Sequence, residues 1–213
     1  MAGKIAASIL SADFAFLGDQ VKLVEPHADL IHVDAMDAHF VPPLSIGPVV
    51  VESLRKVTGL PLHCHLMVER PTDHFAAIAK AGGDSVTFHL EAVDDIAAVA
   101  EQARGHGLAT GLAFKPETEP EQAAAVADAV DIVLCMSIEP GYSGQAFMPE
   151  ALPRIERLRE LLPDGKHIQV DGGVGRDNAR QLREVGAELL VAATSIFGAD
   201  DIAAAYRELA VLT

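Results

Sequence analysis

The sequence predicts an α/β fold, a single (β/α)8 TIM barrel spanning residues 1–213, and three observations carry that prediction. Short apolar runs alternate with longer stretches of helical spacing from end to end. Eight strand–helix units fit the chain, with strands starting roughly every 25–30 residues. The opening strand lacks the GxGxxG turn that an open, doubly wound dinucleotide-binding sheet would carry. Continuous alternation implies parallel strands joined by right-handed crossovers. Eight units closing on themselves place the chemistry at the C-terminal ends of the strands. No linker or break in composition divides the chain, so one domain is expected.

The first strand is expected at 5–10 (IAASIL) and the second at 30–36 (LIHVDAM). Alternation puts His32, Asp34 and Met36 on one face of the second strand, with Ile31, Val33 and Ala35 on the other. A strand covered on both sides has little reason to carry an imidazole and a carboxylate together. The third, at 62–68 (LHCHLMV), presents His63, His65 and Met67 on one face and Leu62, Cys64 and Leu66 on the other. Expected next are 85–92 (SVTFHLEA), 109–114 (ATGLAF) and 132–138 (IVLCMSI). The seventh, at 167–173 (HIQVDGG), ends with Asp171 on the face opposite Ile168 and Val170, and the eighth is expected at 189–197 (LLVAATSIF). Ala/Leu/Glu-rich stretches such as DDIAAVAEQARGHG lie between them, with apolar residues at helical spacing and Gly near their C-terminal ends.

Same-face neighbours lie about 6.5–7 Å apart, so His65 can reach the level of Asp34 while His63 sits one layer deeper. Two imidazoles and two carboxylates at a barrel mouth suit a first-row divalent ion such as zinc, iron, manganese or cobalt. No Cys shares their face, which favours an open, catalytic site over a closed structural one. Spacing alone leaves a second reading open, that of buried and satisfied polar residues. Asp34 and Asp171 come from well-separated strands and can approach a flat intermediate from opposite sides. An epimerase needs that arrangement, one group removing the proton α to a carbonyl and the other returning one to the opposite face. A metal would polarise the carbonyl and stabilise enediolate oxygens.

The glycine turns SIEPGYSGQAF, DGGVGRDNA and AATSIFG follow the sixth, seventh and eighth strands. Loops after the last two strands are the usual phosphate site of such barrels, with backbone N–H groups as donors. That matters because 31 acidic residues against 16 basic ones give a net charge of -15. Such a charge argues against nucleic acid or an anionic membrane surface as partner. Aligned amides can hold a phosphate without a basic patch. No apolar run approaches the roughly 18 residues a membrane span needs, and no signal peptide is expected at MAGKIAASILSADF. Cys64 and Cys135, each in an apolar run, are expected as reduced, buried thiols in a cytoplasmic protein.

The segments ASILSADF, HVDAMDAHFVP, IGP, HLMVE, TFHLEA, MSIEPGYSGQAF, VDGGV and GA occur in this order over nearly the whole chain. In them the sequence resembles the ribulose-phosphate 3-epimerase family. The resemblance implies a barrel of the ribulose-phosphate-binding type, one divalent metal ion, and interconversion of D-ribulose 5-phosphate and D-xylulose 5-phosphate. Zn2+ suits the ligands best, with Fe2+, Mn2+ or Co2+ as alternatives. Carried over by motif, the metal ligands are His32, Asp34, His65 and Asp171, with Asp34 and Asp171 doubling as the acid/base pair. Substrate contacts are expected from Ser8 and His65, and from Met36, Met67 and Met136 as apolar walls. Gly141, Tyr142, Ser143 and Gly144 are expected at the phosphate, together with Gly172, Gly173, Ala193 and Thr194. A homo-oligomer, dimer or hexamer, is implied as well, acting on a phosphorylated ketose in the cytoplasm.

His63, His89 and His167 match no site motif and are read as structural; Asp37 is read as a capping or loop residue and Lys115 as an exposed loop lysine. The chain departs from the family pattern at Ala38, Ser143 and Ala193, where glycine is usual. Each adds a Cβ that restricts the backbone or crowds a phosphate. Two alternatives compete with the epimerase reading: a 3-epimerase of a hexulose phosphate such as D-allulose 6-phosphate, and a sugar-phosphate-binding barrel without turnover. A decarboxylase or aldolase is disfavoured because HVDAMD supplies His where those barrels place Lys.

Overall fold

In a computed structural model describing residues 4–213, the eight apolar runs pair side by side and close on themselves. The strands are β1 Lys4–Ser8, β2 Leu30–Met36, β3 Leu62–Met67, β4 Ser85–His89, β5 Ala109–Phe114, β6 Ile132–Met136, β7 His167–Asp171 and β8 Leu189–Ala192. Each is parallel to its sequence neighbour, and β8 returns to β1 through Lys4↔Leu189 and Ala7↔Ala192, which closes the barrel. Helices α1 Leu17–Val24, α2 Pro48–Arg55, α3 Phe75–Ala81, α4 Ile96–Gly105, α5 Pro120–Ala124, α6 Ala151–Leu161, α7 Ala179–Glu184, α8 Thr194–Phe197 and α9 Ile202–Ala210 occupy the connections. Local chemistry sets several ends. Asp95 and Asp201 accept the N–H groups of Ala98 and Ala204 to cap α4 and α9. Pro48 starts α2, and Gly82 ends α3 at φ +91°.

The strands' outward residues, among them Ile31, Val33, Leu62, Cys64, Leu66, Phe88 and Phe114, form one buried cluster with the helices' apolar stripes. Each such side chain stabilises the fold by about 1.5–3 kcal/mol relative to exposure. Both cysteines are buried and free. Burial pushes the Cys64 thiol up to about 12 and that of Cys135 up to about 11, so neither is a nucleophile at neutral pH. Inward residues stack in layers. Ala6, Leu189 and Val191 pack with Leu30 and Ile132 inside the barrel, and Met36, Met67, Val41, Leu10 and Phe40 gather at the mouth.

Four acidic side chains repeat one device. Asp29, Asp84, Asp131 and Glu188 each stand immediately before an even-numbered strand. They accept the N–H groups of Ile5, Leu62, Thr110 and Ile168, at or next to the starts of the preceding odd-numbered strands, at 3.0, 2.7, 2.7 and 3.3 Å. Tyr206 on α9 donates to the carbonyl of Ile5 at 3.0 Å and ties the last helix to the first strand.

Six expected strands run on too far. Residues 9–10, 68, 90–92, 137–138, 172–173 and 193–197 leave the ladder as turns or, after β8, as α8. Short apolar runs carry no periodicity that separates a strand from a buried turn or helical start.

Candidate active site

Register builds the mouth. β2 and β3 place His32 opposite His63, Asp34 opposite His65 and Met36 opposite Met67, while β6 and β7 place Met136 opposite Asp171. The ring of His63 lies nearly parallel to that of His32, centroids 5.1 Å apart, and its two nitrogens meet the hydroxyls of Ser85 and Thr87. It is a satisfied interior residue, one layer below the site.

At the mouth, Asp34 Oδ1 lies 3.1 Å from His32 Nε2 and 3.1 Å from His65 Nδ1. Asp171 Oδ2 stands 3.7 Å and 3.3 Å from the same nitrogens. Ser8 donates its hydroxyl to the other Asp34 oxygen at 2.7 Å. Burial raises the Asp34 pKa, but the charges and hydrogen bonds of His32 and His65 outweigh it and hold the carboxyl well below the usual range. Burial likewise opposes charge on His65, yet its bonds to Asp171 and Asp34 raise its pKa to about 9. Paired carboxylates at this spacing draw positive charge between them.

A divalent cation meets the same demand. One donor atom from each of His32, Asp34, His65 and Asp171 lies within 4.8 Å of every other, and ligands around a tetrahedral zinc stand about 3.4 Å apart. The residues behind the donors also fit. For His32 Nε2 to offer its lone pair, Nδ1 must carry the proton and needs an acceptor. Buried Gln169 faces that nitrogen at 3.5 Å through its amide nitrogen, and its Oε1 has no partner. A half-turn of the amide gives both groups what they lack.

Above the cluster opens a cavity of about 250 Å3. Ser8, Asp34, Asp171, Met36, Met67 and Met136 line its floor, and Gly141, Tyr142, Ser143, Gly144, Gly172, Gly173, Ala193 and Thr194 its rim. His32 and His65 are wholly buried behind the carboxylates, and neither lines the cavity. Gly173 shows why the rim is glycine-rich: at φ +61°, a Cβ there would stand 2.5 Å from the Phe147 nitrogen. Leu10, Ile138 and Val191 also line the cavity and were not foreseen. Nor were the positions of Gln169 and His89 against His32 and His65. Strand alternation does mark Gln169, which shares the inward face of Asp171.

Ala38 has φ +60°, the one positive φ among described non-glycine residues. The cost of the missing glycine therefore falls on the backbone at Ala38, while Ser143 and Ala193 lie outside the left-handed region. Asp37 holds that turn, accepting the N–H groups of His39, Phe40 and Glu69 at 2.8, 2.9 and 2.8 Å. Lys115 is half-buried with Nζ 4.3 Å over the Phe40 ring.

Residues 4–197 match the model of the ribulose-phosphate 3 epimerase family. A ribulose-phosphate 3-epimerase of Bacillus subtilis (strain 168) is 42% identical over 211 residues, 97% of each chain. The ribulose-phosphate 3-epimerase of Oryza sativa subsp. japonica named as a cytoplasmic isoform is 42% identical over 203 residues, 93% of this chain and 89% of the relative. Among solved structures, KGPDC from Streptococcus mutans superposes with a TM-score of 0.78 at 16% identity, covering 100% of this chain and 97% of the other. That likeness shows the barrel fold alone.

Proposed function

The chain belongs to the ribulose-phosphate 3-epimerase family, and from that membership we propose that it interconverts D-ribulose 5-phosphate and D-xylulose 5-phosphate by two-base proton transfer at C3. The observation that carries this reading is the placement of Asp34 and Asp171, from β2 and β7, on the floor of one cavity. One carboxylate takes the C3 proton and the other delivers a proton to the opposite face of the planar intermediate. Ser8 fixes the Asp34 carboxylate through one oxygen, leaving the other turned to the histidines. Asp34 is held ionised at neutral pH, as a base must be. Met36, Met67 and Met136 present soft apolar walls that keep water from the carbanionic carbon.

His32, Asp34, His65 and Asp171 would hold one divalent ion, zinc best matching the two imidazoles. When bound, such an ion polarises the substrate carbonyl. The phosphate would lie against the backbone at Gly144, Gly173 and Thr194, a grip by amides that needs no basic patch in a -15 chain. The reading extends to one barrel domain working as a homo-oligomer in the cytoplasm. Exposed Phe16, Leu44 and Val49 and the two free cysteines support it.

Turnover of D-ribulose 5-phosphate and D-allulose 6-phosphate measured side by side tests the substrate. The pentulose is expected to be the better substrate by kcat/KM. A large preference for the hexulose would overturn the assignment, and turnover of neither would leave a barrel that only binds.

A further inference from the structure

Resting on the metal-site reading above, we propose that His89 and Glu91 are positioning residues: they form a line, His65–His89–Glu91, that fixes His65 in the form able to ligate through Nδ1. His65 turns Nδ1 to the two carboxylates and Nε2 away from them, 2.9 Å from His89 Nε2. The two ring planes lie within 18° with centroids 5.1 Å apart, the tip-to-tip arrangement of an N–H···N bond. Both rings are wholly buried, so no water satisfies either nitrogen from outside.

Only one of two facing imidazole nitrogens can carry the proton. If His89 donates, the proton of neutral His65 sits on Nδ1, pointing at Asp34 and Asp171 and closing the lone pair a cation needs. His89 Nδ1 would then face the Glu91 carboxylate with a lone pair of its own, at 3.2 Å. If His65 donates, every contact is matched: His65 Nδ1 is free, His89 Nε2 accepts, and His89 Nδ1–H donates to Glu91 Oε2. The carboxylate therefore selects the direction of the whole line.

Glu91 is itself held in place. Its other oxygen accepts from the Lys115 N–H at 2.8 Å and from the Thr118 hydroxyl at 2.5 Å, and its side chain is 22% exposed. Burial opposes ionisation there, but these bonds and His89 hold the carboxyl down at about 2. Phe40 packs on the His89 ring, centroids 4.8 Å apart, and shields the line from the mouth. Neither His89 nor Glu91 lines the cavity, so their effect passes through His65.

The test uses cobalt(II), whose absorption reports ligand type and geometry, with affinity measured by chelator competition. Glu91→Gln keeps the size of the side chain but lets the amide meet either face of His89, so the direction is no longer imposed. It is expected to weaken cobalt(II) binding roughly 10–100-fold and to alter the absorption bands, as is His89→Gln. Should His89→Gln fail to fold, Glu91→Gln decides alone. Wild-type affinity and spectrum in the folded variants would overturn the inference, including when melting temperature falls, since that would mark a merely structural role. A wild-type chain that bound no cobalt(II) would overturn the metal site and this inference with it.

Discussion

Asp34 and Asp171 are chemically alike yet differently housed. Asp34 is buried and bonded to Ser8, His32 and His65, while Asp171 keeps 15% of its side chain exposed at the cavity. Each has one proton to move, so Asp34→Asn and Asp171→Asn are each expected to abolish turnover while the variants still fold. Near-full activity in either would show that the two-base assignment is wrong. Ala38 matters at the same scale for stability. A left-handed residue with a Cβ costs roughly 1–2 kcal/mol, and glycine's extra unfolded freedom returns roughly 0.5–1 of that. Ala38→Gly is therefore expected to stabilise the chain by about 0.5–1 kcal/mol, raising Tm by about 1–4 °C; a fall in Tm would count against strain there. The departure from glycine was legible in the sequence, but its location in the backbone was not, because φ is set by the Asp37-anchored turn. His89 shows the converse limit. Its motif TFHLEA was visible, yet only the meeting of β3 and β4 brings His89 against His65.

At the scale of elements, strand positions and faces were legible because parallel barrel strands are apolar runs with a fixed period of two. Strand ends were not. The misread residues after β1, β3, β4, β6, β7 and β8 all lie on the C-terminal side, where polar turns carry apolar residues such as Leu10 and Ile138 into the cavity wall. At the other end the acidic clips set strand starts. Asp131 accepts from the Thr110 N–H at 2.7 Å and its hydroxyl at 2.9 Å, and Arg104 approaches at 3.5 Å. Burial raises its pKa, but these bonds prevail and hold it below the ordinary value of 3.8. A carboxyl depressed on folding adds stability above its unfolded pKa, and that stability is lost as pH falls through the folded value. Asp131→Ala is accordingly expected to cost roughly 1–3 kcal/mol at pH 7 and less below about pH 3.8. Denaturant unfolding at pH 7 and pH 3.5 reads this, and an equal loss at both would contradict the carboxylate's role.

Over the whole molecule, charge and chemistry point in opposite directions. A chain of net charge -15 repels a phosphorylated sugar at long range, and salt screens that repulsion within a Debye length of about 10 Å at 0.1 M. The KM for D-ribulose 5-phosphate is expected to fall as sodium chloride rises from low to moderate concentration; a steep rise would indicate a basic steering surface. Composition showed the charge and the glycine turns showed how an anion could still be held, so the barrel was legible from the residues alone, while the cluster of His32, Asp34, His65 and Asp171 was singled out by the family motifs. The outer groups that orient the ligands, Gln169 and His89, were not recognised, since hydrogen-bond partners across strands depend on barrel closure. The activity proposed for the site rests on proton exchange at C3 between two opposed carboxylates. Incubation with D-ribulose 5-phosphate in deuterated water, with divalent metal and with chelator, followed by NMR, reads that exchange itself. Deuterium is expected at C3 in both pentulose phosphates, with D-xylulose 5-phosphate as product and both suppressed by chelator. No exchange with any divalent metal would contradict two-base transfer.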